Sequence, residues 1–276
     1  MFRIDAHQHF WQFDAVRDAW ITEDMQVLRQ DFLPQHLQPL LAQAGMDGCV
    51  AVQADQSETE TSFLLQLAAE NDFIKGVVGW VDLQAENVEE RLEYYSQFPK
   101  LKGFRHIVQG EQDDAFMLRP SFQQGIRLLQ QFGFTYDILI YPKHLPYAIE
   151  LVARFPQQKF IVDHLAKPHI KRGEISFWKQ EIEHLAQHPN VCCKVSGLVT
   201  EADWKGWKGN DFAPYLDVVT AAFGTHRLVY GSDWPVCLLA ARYEEQLNIV
   251  QKHFETFSEA EQARIFGGNA QQFYAL

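Results

Sequence analysis

Apolar positions along the chain fall into short runs at 2–6, 49–53, 76–81, 103–107, 134–140, 160–162, 191–195 and 228–230. These runs are too short for free-standing helices and lack strict alternation. That suits strands buried on both faces of a parallel sheet. Between them the apolar positions take a helical period, over 34–44, 58–71, 88–98, 121–132, 145–155, 175–188 and 213–223, with 239–254 and 259–266 after the last run. Eight strands alternating with about eight helices predict an α/β chain folded as a single-domain (β/α)8 TIM barrel over residues 1–276. A doubly wound open sheet is the second architecture, but no G-x-G-x-x-G follows the first strand.

The connections are unequal. Helix-to-strand links such as AGMDG, QFG and AFGTH are short and carry Gly, as helix stops do. Strand-to-helix links at 9–33, 108–120, 165–174 and 197–212 are long. In a barrel these long loops gather at the carboxyl ends of the strands, the face on which barrel active sites are built.

Composition narrows the function. A net charge of -12 disfavours a binder that tracks a nucleic-acid backbone. No apolar segment approaches the ~18 residues of a membrane span. The opening MFRIDAHQHF enters a strand at once, so no leader is expected and cytoplasmic residence follows as the default. Cys49, Cys192, Cys193 and Cys237 contain no CxxC pair and read as reduced, mostly buried thiols.

The candidate chemistry lies at strand ends. His7 and His9 stand two apart on strand one, so their imidazoles can converge on a divalent metal. Asp233 follows a Gly-Ser step after strand eight. Strands one and eight are neighbours in a closed barrel, which brings this carboxylate beside both histidines. His164 ends the strand-six run, and Asp163 is expected to alternate outward. Arg105 and His106 close strand four. Trp11 and Trp234 follow the histidine pair and the carboxylate, while Trp20, Trp204 and Trp207 fall in long loops. Lys194 and Lys102 read as structural or surface residues, and His144 as a helix cap or surface residue.

Together, DAHQHFW, FRH, DHLAKP, KVSGL and GSDWPV resemble the amidohydrolase superfamily, and within it the sugar-lactonase branch that includes fuconolactone, rhamnonolactone and 2-pyrone-4,6-dicarboxylate lactonases. The resemblance runs from about Ile4 to the C-terminal helices. It implies a hydrolase that opens an aldonic-acid lactone, with one divalent metal, Zn2+, on His7, His9 and Asp233 and His164 as a further contact. A metal-independent version of the site is the alternative. Asp233 would act as general base and then general acid, and His164 would steady the oxyanion. Arg105, His106, Trp11 and Trp234 would bind substrate. Other functions left open are a dicarboxylate lactonase, a metal-dependent decarboxylase of the same superfamily, and a non-catalytic binding barrel. The implied partner is a small-molecule lactone; self-association into a homo-oligomer is left open. The chain departs from the broader superfamily pattern in lacking a histidine at the end of strand five, which speaks against a binuclear centre.

Overall fold

The computed structural model describes residues 2–276. Eight strands form one parallel sheet in sequence order: β1 (Ile4–Gln8), β2 (Gly48–Val52), β3 (Ile74–Gly79), β4 (Leu101–His106), β5 (Thr135–Ile138), β6 (Phe160–Val162), β7 (Val191–Val195) and β8 (Leu228–Tyr230). Helices α1 (Pro34–Gln43), α2 (Glu58–Glu70), α3 (Val88–Tyr95), α4 (Pro120–Phe132), α5 (Leu145–Arg154), α6 (Ser176–Ala186), α7 (Ala213–Phe223) and α8 (Tyr243–Phe254) each follow the strand of the same number. Two short helices, α9 (Glu259–Ala263) and α10 (Asn269–Tyr274), end the chain. This is the (β/α)8 barrel expected from the apolar pattern. No helix among the described residues is long and apolar enough to cross a membrane.

Local chemistry sets the helix ends. Ser57 caps α2 by accepting a hydrogen bond from the Glu60 amide at 3.1 Å. Gly133 ends α4 in the left-handed conformation, with φ of 76°.

The barrel is closed by backbone contacts beyond the regular strands. The His9 amide donates to the Trp234 carbonyl at 2.7 Å, and the Asp233 amide to the His7 carbonyl at 2.8 Å. Gly231 permits this approach, because a Cβ there would lie 2.5 Å from the His7 Cβ. Asp5 ties the same seam, accepting from the Ser232 amide at 2.9 Å and the Tyr243 hydroxyl at 3.1 Å. Burial pushes its carboxyl up to about 6.

Two apolar clusters divide the interior. The larger fills the space between sheet and helices. The smaller joins Ile4, Val50, Val52, Val78, Ile161 and Val229 to Phe273 and Tyr274 of α10, which plugs the barrel from its amino-terminal end. Branched side chains of moderate size fill the tapered interior, as barrel packing requires. Above them lies a buried polar layer, and above that the mouth formed by the long loops.

Candidate active site

The polar layer comes from four strands. Lys194 of β7 is fully buried and pairs with Asp137 of β5 and, at 3.0 Å, with Asp163. The Tyr274 hydroxyl donates to Asp137 at 2.8 Å. Arg105 of β4 donates to Asp163 at 3.0 Å, to the Gln53 side-chain oxygen at 3.0 Å and to the Gln53 carbonyl. Two buried cations thus face two buried carboxylates. Burial alone would raise the Asp163 carboxyl, but Lys194, His7 and Arg105 outweigh it and hold the group well below the usual carboxylate range.

Asp163 was expected to point outward and instead occupies the centre of this layer. It continues the inward alternation of Ile161, and it is His164 that breaks the pattern. His164, Leu165, Ala166 and Lys167 all have φ between 51° and 58°. Four consecutive left-handed residues, each costing roughly 1–2 kcal/mol, turn the His164 ring back over the barrel axis. Gly197 leaves room for that ring, since a Cβ there would lie 2.6 Å from His164 Nδ1. Asp233 also has a left-handed backbone, at φ 59°. Backbone strain therefore coincides with two of the three elements that aim at the site.

Three imidazoles converge on one oxygen. His9, His7 and His164 place their Nε2 atoms 3.4, 3.8 and 3.9 Å from Asp233 Oδ1. A bulge between Asp5 and Gln8 brings the first two rings to a centroid separation of 5.0 Å. His9 Nδ1 donates to the Val52 carbonyl at 2.7 Å, because a carbonyl can only accept. In the neutral ring His9 Nε2 is then a lone pair aimed at a carboxylate oxygen. His7 Nδ1 lies 3.4 Å from Asp163 Oδ1 and 3.1 Å from the Lys194 ammonium, which itself pairs with the same carboxylate oxygen. Burial, followed by the nearby Lys194 charge, pushes His7 well below its ordinary value, and Asp163 only partly opposes it. Burial, then the adjacent His7, does the same to His164.

Lone pairs and a carboxylate gathered at one point call for a cation between them. His7, His164 and Asp233 each offer an atom, all within 4.8 Å of one another. Each histidine also has a partner at its other nitrogen, the arrangement that orients metal-binding imidazoles. The donor set therefore fits a single divalent ion. His9 Nε2, 3.4 Å from Asp233 Oδ1, stands beside this trio. One feature works against an ion: Arg105 Nη1 lies 3.2 Å from His7 Nε2 and shares its lone pair.

Above the cluster opens a cavity of about 490 Å3. Its floor holds His9, Arg105, His164 and Asp233, and its walls include Trp11, Trp20, Tyr141 and Trp204. His106 does not line it. That ring points to the outside of the barrel, stacks on Phe116 and bonds Glu111 at 2.8 Å. Trp234 is likewise withdrawn, packed edge-on against Phe10 and Phe32. Arg105 is both a partner in the buried ion pair with Asp163 and a cavity-lining group. His144 caps a turn by accepting from the Tyr141 amide at 3.1 Å. Lys194 is structural, though buried rather than at the surface.

The amidohydrolase family model matches residues 4–276. This chain belongs to the amidohydrolase family. Among curated relatives it is 41% identical to an L-fucono-1,5-lactonase of Burkholderia multivorans, with 99% of this chain and 96% of that protein aligned. It is 36% identical to an L-fucono-1,5-lactonase of Burkholderia ambifaria, over 100% of this chain and 96% of that one. A crystal structure of an amidohydrolase from Burkholderia multivorans with bound zinc superposes with a TM-score of 0.97 at 41% identity, each chain covered completely.

The cavity residues of this amidohydrolase that the sequence does not single out include Tyr141, Lys167 and Glu201. Lys167 lay in view inside DHLAKP, where a cation between an apolar pair and a proline has no packing purpose. Tyr141 and Glu201 follow β5 and β7 in mouth loops and carry no motif.

Proposed function

We propose that this chain is a hydrolase of aldonic-acid lactones, with lactones of the L-fucono-1,5 type as its first candidate substrates. The observation that carries the reading is the convergence of three imidazoles on Asp233 Oδ1 at the floor of a cavity with aromatic walls. The full-length likeness to L-fucono-1,5-lactonases supports the substrate class.

Opening a lactone requires a polarised carbonyl, a deprotonated water and a proton for the departing ring oxygen. His7, His164 and Asp233 would hold one divalent ion, with His9 alongside; Zn2+ suits this nitrogen and oxygen donor set and, when bound, would polarise the carbonyl and ease deprotonation of water. Asp233 takes the proton from the attacking water and returns it to the ring oxygen, a general acid–base role worth ~10²–10⁴ in rate. The His164 tautomer follows from its Ser196 partner at 2.9 Å. With Nδ1–H donating to Ser196 Oγ, Nε2 is free as a ligand. With the hydroxyl donating instead, Nε2–H becomes an oxyanion donor. The crowded lone pairs around Asp233 favour the first state. Arg105, fixed by Asp163 and Gln53, presents a permanent positive charge to the carbonyl end of the substrate. Trp11, Trp20 and Trp204 offer faces for the C–H surfaces of a sugar ring.

A dicarboxylate lactone would call for several arginines around the cavity, and Arg105 is the one that lines it. The sugar reading is favoured accordingly. A panel of aldono-lactones assayed by proton release, with and without a chelator, tests it. Turnover of at least one sugar lactone is expected, with loss on chelation. Failure to open any of them contradicts the reading, while full activity after verified metal removal contradicts its metal clause alone.

A further inference from the structure

Lys167 and Glu201 face each other on the wall of the cavity, in the loops that follow β6 and β7. Their side chains are largely buried, at 17% and 18% exposed, yet Lys167 Nζ lies 3.8 Å from Glu201 Oε1, beyond hydrogen-bonding distance. The ammonium lies 5.7 Å from the Tyr141 ring centroid. Neither charged group has a hydrogen bond to a side chain or backbone group among the described residues. An ammonium has three donors and a carboxylate about four acceptor sites, so both line the cavity with most of their hydrogen-bonding capacity unclaimed by protein groups.

The surrounding backbone is built to hold this geometry. Lys167 ends the left-handed run that begins at His164, and its amide donates to the His164 carbonyl at 2.7 Å. The Glu201 carbonyl accepts from the Lys171 amide at 3.0 Å, binding the two loops together. The pair is therefore fixed relative to His164 and Asp233, which line the same cavity. Burial pushes the Glu201 carboxyl up, with Lys167 opposing.

We propose that Lys167 and Glu201 together read adjacent hydroxyls of the substrate ring, the ammonium donating to one and the carboxylate accepting from the next. This rests on the lactonase reading above and deepens it by naming the selected class: neutral, polyhydroxylated lactones. The pair has no net charge, so it adds no net attraction for a second carboxylate. A site built to hydrogen-bond ring hydroxyls discriminates strongly against a ring that lacks them.

The test compares kcat/KM for L-fucono-1,5-lactone and for unsubstituted δ-valerolactone in the wild-type chain, Lys167→Met and Glu201→Gln. Binding of L-fucose, a ring polyol without a lactone carbonyl, is measured alongside by calorimetry. The wild type is expected to prefer the sugar lactone, and each variant to lose at least about tenfold of that preference, chiefly through KM. Fucose binding should weaken in parallel. A preference ratio unchanged in both variants, with fucose binding intact, overturns the proposal. So does a wild type that opens δ-valerolactone at least as well as the sugar lactone. If neither lactone is opened, the lactonase reading fails, and fucose binding by the wild type but not the variants still decides the role of the pair.

Discussion

Lys194 Nζ lies 3.1 Å from His7 Nδ1 in a part of the barrel without solvent contact. The lysine pairs with Asp137 and, together with Arg105, with Asp163, which lies beside His7. Removing one partner from a buried charged network leaves the others uncompensated, at a cost of roughly 3–5 kcal/mol. Lys194→Met should lose stability on that scale in denaturant unfolding. A loss under ~1 kcal/mol would show that the network is not coupled as its distances indicate.

Gly197 has φ of +63° and leaves room for the His164 ring. Gly197→Ala adds a Cβ where that ring sits and strains a left-handed residue. Misplacing a catalytic group by about 1 Å costs on the order of 10²-fold in rate. We expect kcat/KM to fall by that amount while the far-ultraviolet circular dichroism stays that of the wild type. A near-normal rate would mean that the orientation of His164 does not matter.

The fold was readable where an apolar run begins and ends on a sharp change of character. The runs at 160–162, 191–195 and 228–230 coincide with β6, β7 and β8. β1 extends two residues past its predicted end because His7 and Gln8 are polar yet fully buried, and a hydrophobic pattern cannot register buried polar groups. The clustering of His7, His9, His164 and Asp233 followed from barrel closure and strand-end position. The network beneath them did not, because its members converge only in three dimensions. One signal was available: Asp137 within TYDI and Lys194 within VCCKV are charges inside otherwise buried strands. Asp163 departs from its expected outward position because the alternation holds through it and breaks at His164, where the backbone leaves the strand, and His106 departs from Arg105 because neighbours on a strand face opposite sides.

Glu60 offers a stability test at a distance from the chemistry. It is buried near the start of α2, where burial pushes its carboxyl from 4.5 up to about 7. The protonated form is favoured in the fold, so its contribution is complete below pH 4.5 and is lost as pH rises through about 7. Glu60→Gln keeps an oxygen and stays neutral at every pH, so it can still accept from the Ala54 amide. It should match the wild type at pH 4 and exceed it at pH 8 by up to about 3 kcal/mol, because each tenfold change in proton affinity is worth ~1.4 kcal/mol. Equal stability at both values would place the ionised carboxylate comfortably in the fold.

Burial pushes His7 and His164 well below 6.5, and a bound cation displaces protons in the same direction. Loss of activity on acidification through imidazole protonation should therefore set in well below pH 6.5. A kcat/KM profile already falling at pH 6.5, without unfolding, would contradict the neutral state assigned to these rings.

The most direct measurement is proton release from L-fucono-1,5-lactone by the wild type and by Asp233→Asn, each shown to be folded by its melting temperature. The substitution preserves size but removes the proton acceptor on which His7, His9 and His164 converge. We predict clear turnover by the wild type and a loss of at least ~10²-fold in kcat/KM in the variant. Turnover by the variant within a few-fold of the wild-type rate would contradict the assignment of Asp233 as the base that drives lactone opening.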